Sequence, residues 1–342
     1  MLSVPLSAER WASRLVASRF RWRRAPRHVW FVIADHFEPY WRNTDDALAR
    51  DRVAQWRRAW PEIAREHRDS SGRPPRYTFF YPEEEYRPGL LDTLAEMVRD
   101  DIADMEIHLH HDGEGEQNFV DRMSSFRDAL EARHGLLRRV DGQLAFGFIH
   151  GNWALDNSRP DGRWCGLNNE ISLLARLGCY ADFTLPCVPS PAQAGPVNAI
   201  YWALDDPARP RSHDNGWLAT AGGETGDLLM VPGPLALNWE GRRPWRPRVE
   251  TGELAANWLP TAHRVRLWID RAPRIAEHAF IKLFTHGTQE RNAAALLGGA
   301  LHQALHLIRE ECARRGLTLH FVSAWEARQA IGRLLLGRSA TS

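Results

Sequence analysis

Short, nearly unbroken apolar runs recur along the chain, and each gives way at once to a polar cluster. VWFVIA (29–34) runs into DHFEP, YTFFYP (77–82) into EEE, MEIHLH (105–110) into HDGEGE and LAFGFI (144–149) into HGNW. CYADFTLP, DLLMVP, AFIKLF (which ends in THG) and LTLHFV follow in turn. Runs of this length, rich in β-branched and aromatic residues, predict strands buried on both faces.

Between them the apolar spacing lengthens to that of a helix. Residues 44–67 carry Trp and Ala at helical intervals. Residues 88–100 open with proline, whose missing N–H is not needed in a first helical turn. Segments 118–137, 168–177, 252–273 and 289–315 are further predicted helices. Strand and helix alternate, and carboxylates and imidazoles gather just past the strand ends. That pattern predicts an α/β fold, a barrel or doubly wound sheet, in which strand ends build the site. The prediction is one barrel over 28–335, with an irregular Trp/Pro-rich insertion around 195–250. The Gly222-Gly223-Glu224-Thr225-Gly226 run lacks the spacing of a phosphate-binding loop.

Composition narrows the function. The 342 residues are 44% apolar and carry 44 Lys and Arg against 43 Asp and Glu. A net charge of +1 gives no electrostatic footing for nucleic acid. Fifteen tryptophans exceed the needs of an ordinary core and suit a groove that stacks sugar rings. The four cysteines form no CxxC pair and read as small buried hydrophobes of a reducing compartment. With no signal peptide and no apolar run of membrane-spanning length, the expected location is the cytoplasm. Residues 1–27, an arginine-rich helical extension, are expected to cover one end of the barrel, or to meet an anionic membrane face or another protein.

The candidate chemistry lies after the strands. Asp35, His36 and Glu38 follow the first, and His108, His110, Asp112 and Glu114 belong to the third or follow it. Strand alternation sends His108 and His110 to one face, with Glu106 below them. Histidines and carboxylates meeting at a barrel mouth suit a divalent metal such as zinc, although strand-end histidines can also be simply hydrogen-bonded. His150, Asn152 and Trp153 follow the fourth strand, with Glu170 at a helix start beyond. His286, at the end of an apolar run and before a glycine, is well placed for proton transfer. Asp182 either points inward or caps its strand.

Together these segments resemble the NodB-type polysaccharide deacetylases and their glycoside hydrolase relatives. The resemblance implies an incomplete (β/α)7 barrel with a metal at its mouth. Asp35-His36 stands where that family has an Asp-Asp pair, of which the first acts as base and the second binds metal. Glu106-Ile107 sets His110 on the first histidine of the family's His-x3-His motif, and Glu114 falls on the second. Leu283-Phe284-Thr285-His286 resembles the late leucine-x-histidine motif with one residue more. The family's middle-strand Arg-Pro motif is not visible, and HGNWALDNS occupies its place.

The resemblance implies a metal-dependent hydrolase that removes N- or O-acetyl groups from a glycan. A divalent ion, expected to be zinc, would be held by His36, His110, Glu114 and His108. Asp35 would take the water proton and His286 would protonate the leaving group. Tyr40, Trp153 and Trp164 would stack on sugars, His150 and Asn152 would line or support the site, and Glu170 and Asp182 would orient the histidines. The HFEP segment also resembles the His-x-His-x-Pro opening of a glycosidase group, in which case Glu38 and the Glu83-Glu84-Glu85 run would supply acid and nucleophile. A barrel that only binds a glycan or a biosynthetic partner is the third alternative.

Overall fold

A computed structural model describes residues 6–18, 25–241 and 247–340. Helix α1 (Leu6–Ser18) precedes β1 (His28–His36), after which α2 (Asp46–Glu66), β2 (Tyr77–Pro82), α3 (Pro88–Arg99), β3 (Ala103–Leu109) and α4 (Glu116–His134) alternate. A hairpin of β4 (Arg138–Val140) and β5 (Gln143–His150) leads to α5 (Glu170–Arg176) and β6 (Cys179–Asp182). The insertion contains only short strands: β7 (Tyr201–Ala203), β8 (Gly216–Leu218), β9 (Leu228–Met230), β10 (Ala236–Asn238) and β11 (Arg248–Glu250). Helix α6 (Ala262–Arg271), β12 (Arg274–Ile275), β13 (His278–Thr285), α7 (Glu290–Ala295), α8 (Leu301–Arg315), β14 (Thr318–Phe321) and α9 (Ala324–Leu335) complete the chain.

The main sheet runs β12-β13-β1-β2-β3-β5-β6-β9-β7-β8. From β13 to β9 its pairs are parallel, while β12, β7 and β8 join antiparallel at the two edges. Strand β1 has three neighbours: β13 along nearly its whole length, β14 beside residues 28–31 and β2 beside 33–36. The result is an unclosed, irregular mixed sheet, the form of a distorted or incomplete barrel.

Alternation along β1 shows why the apolar runs are continuous. Val29, Phe31 and Ile33 pack with Trp56, Leu94 and Trp268 of the helical layer. Trp30, Val32 and Ala34 belong to an inner layer with Phe80, Ile149, Phe183 and Phe280, which α9 joins through Ala327 and Ile331. Each strand is therefore buried on two sides, and at its end the inner set emerges at the mouth.

Two predicted helices are shorter than their apolar patterns. Over 252–273, only Ala262–Arg271 is helical. Pro260 and the Thr261 cap, whose hydroxyl accepts from Arg264 N at 3.1 Å, set the start. The residues before them are spent on β13: Leu254 N donates to Phe284 O at 2.8 Å. The 289–315 segment is broken at Leu296–Ala300 by a π-turn, in which Gly299 takes φ 136°. Helix α6 is tied to β11 by a fully buried pair, with Arg264 Nε donating to Glu250 Oε2 at 2.7 Å.

The N-terminal helix rests on the insertion, with Leu15 buried among Val188, Val197 and Leu235. Residues 1–5 and 19–24, which hold much of the arginine-rich stretch, lie outside the described residues. No helix among the described residues is long and apolar enough to cross a membrane.

Candidate metal centre at the mouth of the sheet

His36 ends β1, His108 lies near the end of β3, and His110 and His286 follow β3 and β13 at once. Alternation turns all four imidazoles toward the mouth, and Glu38 reaches in among them. His108 Nδ1 lies 2.7 Å from the Ile149 carbonyl, which can only accept, so Nδ1 carries the proton and Nε2 is left with a lone pair. That Nε2 stands 3.4 Å from Glu38 Oε1. The same oxygen is 3.3 Å from His110 Nε2, and His110 Nδ1 is 2.5 Å from Glu84 Oε1. The rings of His36 and His286 are 4.7 Å apart, and those of His36 and His108 are 4.9 Å apart.

Two triads of donors result, His36 with Glu38 and His286, and Glu38 with His108 and His110. Within each, one ligating atom per residue lies within 4.8 Å of the others. Glu38 is common to both. Among the described residues, the buried Nε2 atoms of His36 and His108 have no hydrogen-bond partner. Buried polar atoms are normally satisfied, and two bare imidazole nitrogens beside a carboxylate form a donor set that could coordinate a divalent cation.

The electrostatics agree with the geometry. Burial, with His286 and His108 adding to it, holds the His36 imidazole well below its ordinary pKa. Burial alone would raise the Glu38 carboxyl, but the His110 imidazole facing it holds it below the usual range. For His110 burial works downward and is overcome by Glu38 and Glu84, which raise it to about 10. Burial pushes the Glu85 carboxyl up to about 7, while its Oε2 accepts from Tyr40 N at 2.7 Å.

A cavity of about 570 Å³ opens over the cluster, bordered by Tyr40, Glu85, Asn152, Trp153 and Gln289 beside the histidines. Two glycines let the parts approach. A Cβ on Gly151 would stand 2.3 Å from His110 Cδ2, and one on Gly287 would stand 2.2 Å from Asp35 Oδ2.

The structure gathers His36, Glu38, His108, His110 and His286 at one place, with Tyr40, Asn152 and Trp153 on the cavity wall. Other expected members stand elsewhere. Asp35 has the opposite parity to His36 on β1 and faces the helical layer. It is fully buried there, accepting from Gly287 N at 2.7 Å and Tyr77 Oη at 2.9 Å. It braces the loop that carries His286 and does not reach the cavity. Glu114 also falls outside the cluster. Its oxygens accept from Asn118 Nδ2 at 2.6 Å and Arg122 Nη1 at 3.0 Å, because the turn after His111 has carried the chain onto α4.

Trp164 lies under the guanidinium of Arg159, 4.2 Å from its ring, and does not border the cavity. Asp182 is buried and held by Thr184, whose N and Oγ1 donate to it at 3.0 and 2.7 Å. His150 and Glu170 belong to a separate buried group with His111 and Cys165.

Sequence reasoning placed Glu84 in a run of three acids without separating it from its neighbours. Only the short helical turn at 83–85 turns Glu83 to Arg122, Glu84 to His110 and Glu85 to Tyr40. Neither a known family model nor a curated protein matches the chain.

Proposed function

We propose that the mouth holds a divalent metal ion and that the protein is a metal-dependent hydrolase of NodB-like type, removing acetyl groups from a glycan. The observation that carries this reading is the pair of donor triads sharing Glu38 beneath an open, aromatic-walled cavity. Glu38, His36 and His108 would hold the ion, since the two imidazoles offer unpartnered buried nitrogens beside a carboxylate. Neutral imidazole with carboxylate is a donor set suited to zinc. When bound, such an ion polarises an acyl carbonyl and lowers the pKa of water.

The chain's own residues then divide the remaining work. Glu84, at 2.5 Å from Nδ1, orients the His110 ring and with Glu38 keeps it charged, so that His110 would give a proton through Nε2 to the departing sugar nitrogen or oxygen. His286, beside His36 and kept below its ordinary pKa by burial, would take the proton from the attacking water. Asp35 fixes the Gly287 backbone and through it the position of His286. Trp153 and Tyr40 present apolar faces against which a sugar ring can lie.

Glycosidic cleavage is a second reading, favoured by Glu38 and Glu85 bordering the same cavity. The deciding experiment incubates zinc-loaded protein with N- and O-acetylated oligosaccharides and measures free acetate and new reducing ends. The expected result is acetate without chain cleavage, lost in His108→Ala and on chelation. Reducing ends without acetate would put the glycosidase in its place, and acetate release that survives both His108→Ala and chelation would remove the metal from the mechanism.

A further inference from the structure

Behind the mouth, between the sheet and helices α4 and α5, lies a second cluster that no step above uses. Strand alternation splits the consecutive His110 and His111: the first faces the cavity, and the second faces Phe119 of α4. There it meets His150, Cys165 and Glu170, each offering one ligating atom within 4.8 Å of the others. His150, Cys165 and Glu170 are fully buried and His111 is 6% exposed, and none of the four borders the mouth cavity.

We infer that these four side chains hold a second divalent cation, zinc by its donor set, in a closed structural site. The distances have the required scale. His111 Nε2 and His150 Nε2 stand 3.0 and 3.5 Å from Glu170 Oε1, and Cys165 Sγ stands 3.4 Å from Glu170 Oε2. Bonds of about 2.0–2.3 Å in tetrahedral directions separate donors by roughly 3.3–3.6 Å. His150 Nδ1 lies 2.5 Å from the Gly151 carbonyl, so it carries the proton and leaves Nε2 with a lone pair aimed at a carboxylate. That nitrogen has no hydrogen-bond partner among the described residues. A lone pair facing a carboxylate inside a protein is repulsive unless a cation stands between them.

The sulfur is prepared in the same sense. Cys165 Sγ accepts from the backbone N–H groups of Asn157 at 3.2 Å and Leu167 at 3.4 Å, the support a thiolate ligand needs. On binding, the thiol proton leaves to solvent and the thiolate takes its place on the metal. Four protein donors with no open position make a structural rather than a catalytic centre.

Its consequence reaches the mouth. The loop between His150 and Cys165 holds Asn152, Trp153, Asp156 and Asn157 at φ between 50° and 56°, a left-handed run that is costly without cross-bracing. An ion clamping both ends of that loop would fix the wall formed by Asn152 and Trp153.

The test counts metal and looks for sulfur. X-ray absorption at the zinc edge of the zinc-loaded wild type should show one sulfur at about 2.3 Å. The cobalt-substituted protein should show a thiolate-to-cobalt charge-transfer band that Cys165→Ser abolishes, with metal content falling by one ion per chain. His108→Ala should remove the mouth ion and leave the band. A zinc shell of nitrogen and oxygen alone, or a zinc-free wild type after loading, overturns the inference even if Cys165→Ser does not fold. A sulfur-bound ion with no second one sustains it while defeating the mouth reading, so the two proposals fail separately.

Discussion

Lys282 stands near the middle of β13 with its Nζ in the inner layer, fully buried and without a hydrogen-bond partner among the described residues. Asp182 and the Cys187 thiol are the groups that favour its charge, and the Phe284 ring lies 5.5 Å away. Desolvation outweighs them and lowers the amine from 10.5 to about 7. Below pH 7 the folded protein has to bury a charge that the unfolded chain leaves in water. With about 1.4 kcal/mol per pKa unit, that drop corresponds to roughly 5 kcal/mol of lost stability.

The sign follows from proton counting. Between pH 7 and 10.5 the unfolded state binds the extra proton, so stability rises with pH across that window and is flat below it. Lys282→Met keeps the shape and removes the amine. It should stabilise the protein by up to about 5 kcal/mol at pH 6 and by about 2 kcal/mol at pH 9. Urea unfolding followed by tryptophan fluorescence at the two pH values measures this difference. A gain equal at both pH values, or a variant less stable at pH 6, would refute a buried neutral amine and point to a partner for Lys282 at the mouth.

Other outcomes follow from the same contacts. Gly151→Ala should displace the His110 ring from between Glu38 and Glu84, cutting turnover about 100-fold while metal content stays at the wild-type level; a wild-type rate would contradict the role given to His110. Glu250→Ala leaves the Arg264 guanidinium buried without its carboxylate and should cost about 3–5 kcal/mol in denaturant unfolding, so a loss under about 1 kcal/mol would count against it. Trp153→Ala should raise KM roughly 3- to 10-fold on an acetylated oligosaccharide with kcat nearly unchanged. A fall in kcat alone would move Trp153 from substrate binding to the chemistry.

The sequence by itself determined the strands and the end of the sheet at which to look. Period and length are local properties, so eight apolar runs became eight strands, and some of the polar residues at the ends of β1, β3 and β13 lie together at the mouth. His36, Glu38, His108, His110 and His286 could be named because strand alternation and strand ends are written in sequence order. Partnership is not. Asp35 and His36 are neighbours in the chain, yet the pleat sends one to Tyr77 and the other to the cavity.

The same parity separates His110 from His111 and gives each to a different cluster. Glu114 looked available until α4 brought Arg122 to it. Cys165, which resembled any small buried hydrophobe, lies with Glu170 because the left-handed turns after His150 return the chain to α5. Which donors share a site depends on distances between residues far apart in the chain, and only the packed sheet and its helices set those distances.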